Sequence, residues 1–160
     1  MTESSGRRFA LRAASALHHR LYRVSGGRLG GSIRGLPILL LTTRGRSTGR
    51  PRTVPLGFLH EGEGVVVIGS NGGADRAPSW SLNLEADPQA VIEIGRERRA
   101  VTARRAVGEE RERLWQAAVA RFPGYGRYEQ LTSRAIPVVV LEPGAGGSEP
   151  HTAASSPARL

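Results

Sequence analysis

From residue 38 to residue 141 the chain alternates short β-rich runs with short polar connections, and that rhythm leaves few architectures open. The runs are Ile38 to Thr43, Thr53 to His60, Val65 to Ser70, Ala90 to Gly95, Arg99 to Val107 and Ile136 to Leu141. EGEG turns the second run back into the third as a hairpin, and RER separates the fourth from the fifth. Pro55 has no N–H to give a ladder, so it marks an edge or an irregular start in the second run. Helical spacing is confined to a few places. Ser79 is placed to cap a short helix through Ala86, which Asp87 and Pro88 end. Glu109 to Phe122 is the clearest helix, with Leu114, Trp115, Ala118, Val119 and Phe122 on one face and acidic residues in its first turn. FPGY breaks it, and YGRYEQL adds a turn or two. Connections this short favour antiparallel pairing. The expected fold is therefore mainly β within an α+β chain: a small, partly open barrel of about six antiparallel strands with helices over its ends.

Length and composition set the outer limits. A chain of 160 residues, 39% hydrophobic and 23% charged, is enough for one domain with a real core. No cysteine is present, so disulfides and thiolate metal sites are excluded. His18, His19, His60 and His151 have no ligand-like partners at useful spacing, so no metal site is expected. No apolar run reaches the ~20 residues that cross a bilayer. The N-terminus lacks a secretory pattern, and the expected location is cytoplasmic.

The chain divides into three parts. Residues 1–35 hold an amphipathic helix over 8–24 and a glycine-rich connection, residues 36–143 the barrel domain, and residues 144–160 a tail too poor in large apolar residues to order itself. The helix carries Phe9, Ala13, Ala16, Leu17, Leu21 and Val24 on one face, with Arg8, Arg12, His19 and Arg23 largely on the other. Two readings are open: it packs its stripe on the domain, or it lies on an anionic membrane surface as a peripheral contact.

The charge needs a local explanation. The net charge is +9, and arginine supplies all of the positive charge, since the chain has no lysine. A GC-rich genome accounts for that preference across the chain but not for clustering. TTRGRSTGRPR puts Arg44, Arg46, Arg50 and Arg52 between two strands. Close like charges repel by about 1 kcal/mol per pair in water. GRSTGR lacks the lysine of a P-loop and runs into a strand, and no GxGxxG opens a helix after a first strand. What remains is a glycine-hinged turn whose guanidiniums, hydroxyls and N–H groups suit a phosphate or a string of carboxylates. Nucleic acid is disfavoured, because aromatic content is 5% and no recognised motif interleaves with the arginines.

Four ordered segments then carry a family resemblance: LLLTTRGRSTGRPRTVPLGFL, VVVIGSNGG, APSWSLNLEADP and FPGYGRYEQLTSRAIPVVVLEP. Together, from about Pro37 to Pro143, they resemble the deazaflavin-dependent nitroreductase family, the coenzyme F420-dependent quinone reductases of actinobacteria. The resemblance implies a split β-barrel of the flavin-reductase-like type, with F420 as cofactor and the arginine loop receiving its phosphate and γ-glutamyl tail. It places Arg46, Ser47 and Thr48 on the phosphate, followed by Arg52, Thr53, Val54, Pro55, Leu56 and Gly57. It sets Ile68, Gly69, Ser70 and Asn71 beside the deazaflavin ring. Ser79, Trp80, Ser81, Leu82 and Asn83 form a helix start that closes over the cofactor. Tyr125 and Tyr128 fall on the substrate side, with Tyr128 also reaching the cofactor. The chain departs from relatives at Ser47 and Asn71, where lysine occurs, at Ser79, where methionine occurs, and at Phe122, where tyrosine occurs.

The resemblance implies hydride transfer from F420H2 to a quinone or similar conjugated acceptor, nitro compounds included. Tyr125, Tyr128 and Ser70 are then the catalytic candidates, as donors to an acceptor that gains negative charge. The alternative is a protein that binds and delivers F420 without turnover. FMN is the lesser cofactor candidate, since it has a phosphate but no polyglutamate tail. A membrane-lying N-terminal helix would bring such an enzyme to a lipid quinone.

Overall fold

The computed structural model describes residues 32–33 and 35–144. The helix expected over 8–24, the tail past residue 144 and the three-part division drawn from them lie outside the described residues.

Strand β1 (Ser32–Ile33) is a two-residue pairing with the start of β2 (Leu36–Arg44). β3 (Pro51–Glu61) and β4 (Gly64–Ile68) form the hairpin expected at EGEG, and β5 (Gln89–Ile94) and β6 (Glu97–Arg105) form the next. β7 (Val138–Pro143) lies between β4 and β6, and β5 returns to β2, so β2-β3-β4-β7-β6-β5 closes as an antiparallel barrel. The ring is uneven. β3 has 11 residues and β4 only 5. Phe58–Glu61 pairs with β4, whereas residues 51–57 pair with β2 alone and leave one edge open. Pro55 sits in that half-paired stretch, opposite Leu40, as its missing N–H requires.

Alternation fills the barrel. Leu39, Leu41, Phe58, Val65, Val67, Ile92, Val101, Val139 and Leu141 form the inner cluster, joined by Trp80 and Leu84 from helix α1 (Ser79–Ala86). Each such large side chain contributes about 1.5–3 kcal/mol by leaving water. The other faces of β4 and β7 offer Val66, Ile68, Val138 and Val140 to Leu114, Trp115 and Ala118 of α2 (Gly108–Arg121) and Tyr125 of α3 (Gly124–Leu131). These strands are covered on both sides, which is why they read as unbroken runs, VVVI and VVVL.

The differences from expectation are local. α2 and α3 cover the outer wall rather than an end, because the second apolar face of β4 and β7 must be buried; α1 contributes to the interior instead. Pro78 takes the N-cap position of α1, so Ser79 is its first helical residue and makes no capping bond. The hairpin expected at RER turns on Gly95 and Arg96: Ile94 pairs with Glu97, and Gly95 takes the left-handed φ of 61° that a two-residue turn needs. The last strand starts at Val138, after Pro137, whose ring packs against Gly69. A Cβ on Gly69 would lie 2.5 Å from that ring, so the contact requires glycine.

Arg104 ties α2 to the sheet with two bonds to Glu110, at 2.7 and 2.8 Å, and one to Glu142 at 2.6 Å. Arg113 bonds Glu61 of β3 at 2.5 Å. These hydrogen bonds hold the Glu61 and Glu110 carboxyls below the usual range, but both groups are solvated and contribute little to stability. The wall contact matters more. Trp115→Ala should cost about 3–5 kcal/mol, read as a lower midpoint in equilibrium denaturation.

Candidate active site

The arginine connection is folded back on itself. Gly45 N–H donates to the Arg50 carbonyl at 2.8 Å and Gly49 N–H to the Gly45 carbonyl at 2.7 Å, with Gly49 at φ 67°. The arginines do not project together. Thr43 and Arg52 are paired and share one face of the β2–β3 ribbon, while Arg44 and Pro51 share the other. Arg44 turns to a separate hollow, its Nε 3.9 Å from Asp87 Oδ2. Arg50 is exposed and lines neither chamber described below. Arg46 and Arg52 line one chamber, whereas Arg44 and Arg50, which the same loop offered to an anion, do not.

Asn83 sets the position of Arg46. Its Oδ1 accepts from Arg46 N–H at 3.2 Å and Arg46 Nη1 at 3.1 Å, and its Nδ2 donates to Thr43 Oγ1 at 3.0 Å. Asn83 is 3% exposed, so breaking this set would strand buried polar groups. The loop is thereby fastened to the first turns of α1, whose cap carries no side-chain bond. A helix start with free N–H groups adds a further attraction for anions.

Two adjoining chambers open along the unpaired edge of β3. The first, about 500 Å³, is lined by Gly45, Arg46, Ser47, Thr48, Pro51, Arg52, Thr53, Val54, Ser79, Trp80 and Asn83. The second, about 600 Å³, is lined by Val54, Pro55, Leu56, Gly57, Ile68, Ser70, Asn71, Gly72, Pro78, Ser79, Trp80, Phe122, Tyr125 and Tyr128. Val54, Ser79 and Trp80 belong to both, so the chambers are parts of one cleft. One end is cationic and hydroxyl-rich; the other is aromatic.

Most residues anticipated for the site meet here, and three do not line it. Gly69 packs against Pro137 and donates its N–H to the Pro137 carbonyl at 2.9 Å. Ser81 is buried on the far side of α1, facing Ala103, Pro137 and Val139. Leu82 is half-buried and lines neither chamber. A helix shows only one side to a cleft, so the consecutive run 79–83 could not all reach it. Asn71 lines the wide chamber, although its Nδ2 donates to the Arg76 carbonyl at 2.8 Å. Sequence reasoning missed Gly45, Pro51, Gly72 and Pro78; each flanks an anticipated residue, which was the only signal.

The aromatic end has an internal order. Phe122 meets Tyr125 edge to face at 5.2 Å, and Tyr128 lies 6.4 Å from both rings. Burial, with Tyr128 second, pushes the Tyr125 hydroxyl pKa up. That hydroxyl makes no hydrogen bond to a described residue, and it would lie 3.6 Å from a Cβ on Gly57. A protonated donor therefore stands in the chamber wall.

Most of the chain is similar to known proteins. The family model described as F420H(2)-dependent quinone reductase matches residues 14–143. An F420H(2)-dependent quinone reductase of Mycobacterium tuberculosis (strain ATCC 25618 / H37Rv) is 40% identical over 129 residues, 78% of this chain and 87% of that protein. A solved structure of an F420-H2 dependent reductase, FDR-A, aligns with a TM-score of 0.62 at 38% identity, covering 69% of this chain and 100% of the other. A second, described as a domain-swapped dimer, aligns with a TM-score of 0.63 at 32% identity over 89% of this chain and 100% of its own. With that match across most of its length and a split barrel carrying a cleft of this composition, the chain belongs to the F420H2-dependent quinone reductase family.

Proposed function

We propose that this chain is an oxidoreductase that takes a hydride from F420H2 to reduce a quinone, with the joined chambers as its active site. The observation that carries this reading is the continuity of the cleft: a cationic chamber and an aromatic chamber share Val54, Ser79 and Trp80. The residues present fit the cofactor. Arg46, Arg52, Ser47, Thr48 and the start of α1 form a donor set for its phosphate and carboxylates. The half-paired edge at 53–57, with Ile68, Ser70, Asn71 and Trp80, bounds the space for the ring. Bound F420H2 supplies a two-electron hydride donor, and the rest falls to the protein.

Tyr125, Tyr128 and Ser70 carry that part. A quinone oxygen becomes negative as the ring accepts hydride. Tyr125, kept protonated by burial, is suited to donate to that oxygen and then recover its proton from water. Tyr128 and Ser70 line the same chamber and orient the acceptor. Nitro compounds form a second acceptor class to be screened beside quinones. The enzyme works in the cytoplasm, with the amphipathic stretch 8–24 holding it to the inner face of the membrane where lipid quinones reside. Among the described residues no helix is long and apolar enough to cross a membrane.

Titration of the purified protein should show F420 binding more tightly than FMN, and the bound reduced form should turn over with menadione. Arg46→Ala and Arg52→Ala should each weaken F420 by about tenfold or more, the loss expected for a charge-assisted hydrogen bond. Tight binding without turnover would favour the carrier instead.

Tyr125 gives a pH signature. Its pKa is raised in the folded protein because burial penalises the phenolate, so the fold keeps its full stability below the ordinary tyrosine pKa and loses part of it as pH rises through the higher folded value. Ultraviolet difference titration should find the last tyrosine to ionise missing in Tyr125→Phe. Flotation with anionic liposomes should carry the full chain and leave behind a chain starting at Leu36; equal behaviour would refute membrane attachment.

A further inference from the structure

Arg134 lines neither chamber, yet it holds the loop that walls the wider one. It lies between α3 and β7. Its Nε donates to the Ala74 carbonyl at 2.9 Å, and its Nη2 to the Gly69 and Ser70 carbonyls at 3.0 and 2.8 Å. Its Nη1 is buried without a hydrogen-bond partner among the described residues, and it forms no ion pair with a described carboxylate. Its positive charge is therefore directed at peptide groups.

The loop requires such a fastening. Ladder pairing stops at Ile68, and Asn71, Gly72 and Gly73 follow with φ of 48°, 64° and 81°. No peptide in the described chain is cis. In a trans peptide the C=O and the next N–H point in opposite directions. Drawing the Gly69 and Ser70 carbonyls onto Arg134 therefore turns the N–H groups of Ser70 and Asn71 away from it. Neither N–H has a backbone partner among the described residues, and both residues line the aromatic chamber. A cation bonded to the carbonyl end of a peptide also strengthens its N–H as a donor.

We infer that Arg134 is a positioning residue that aims the Ser70 and Asn71 N–H groups into the chamber as a donor pair for a carbonyl oxygen gaining negative charge. The inference rests on the proposed hydride transfer, because only a reaction that builds charge on such an oxygen makes the pair useful. Arg134 is suited to this by its planar fork, which reaches three carbonyls at once; a lysine ammonium is a point charge on a flexible stem.

The test uses the full chain with F420H2 and menadione. Arg134→Ala should keep cooperative unfolding and bind F420 within a few-fold of the parent, since the arginine chamber is untouched. Its kcat should fall about 10- to 100-fold, the range for a misplaced donor set. Arg134→Lys should recover part of that loss. A second pair of variants does not depend on Arg134→Ala folding. Ser70 has φ −68°, which proline adopts without strain, so Ser70→Pro deletes one N–H, while Ser70→Ala deletes only the hydroxyl. Ser70→Pro should have a kcat about tenfold or more below Ser70→Ala. Equal kcat in that pair, or an unchanged kcat in a folded Arg134→Ala, overturns the inference. A parent protein that neither binds nor oxidises F420H2 would instead overturn the function proposed above.

Discussion

A length mismatch between two neighbouring strands underlies the cleft. β3 runs well past the end of β4, so the barrel closes everywhere except along residues 51–57. Backbone polar groups left on an unpaired edge seek partners, whether solvent, a ligand or another strand. Here the edge is screened by α1 and by the loop after β4, and the space between them is the cleft. The same mismatch makes Pro55 tolerable, because the missing N–H lies in a half-paired stretch.

Electrostatics is arranged around that opening by strand alternation more than by the number of charges. Arg44 and Arg52 belong to one connection, but they leave the ribbon on opposite faces. Arg46 is held in place by Asn83, whose amide meets three groups on two residues, Arg46 in the loop and Thr43 on β2. A fixed guanidinium binds an anion with less loss of side-chain freedom than a mobile one, so two well-placed arginines can serve where four loose ones would mostly repel each other.

The strands, their antiparallel pairing and the apolar stripe of α2 were legible because apolar periodicity reports burial directly. Val65–Ile68 and Val138–Leu141 are unbroken apolar runs buried on both faces, a cover that helices placed over the barrel's ends would not have given them. The run 79–83 was legible as a helix but not as a surface: with no strong apolar side, nothing in SWSLN marked Ser81 and Leu82 as turned from the cleft. The arginine loop advertised an anion site, yet its division could not be read without the register that pairs Thr43 with Arg52. Arg134 left no trace in the sequence, because its role depends on three carbonyls some sixty residues earlier in the chain, brought near by β4–β7 pairing.

Both ends of the cleft show how a broken ladder is kept rigid. Where β2 and β3 part at the arginine loop, Asn83 supplies side-chain bonds in place of strand pairing. Where β4 stops at Ile68, Arg134 does the same for the carbonyls of Gly69, Ser70 and Ala74. Each fastening leaves backbone or side-chain donors facing the cleft rather than the core. If the cleft holds the cofactor as proposed, tail affinity and ring orientation depend on separate supports, joined through the start of α1. On the proposed reading, energy gained at the cationic end holds the cofactor while the other end is free to favour the charged transition state, a division that raises turnover rather than affinity alone.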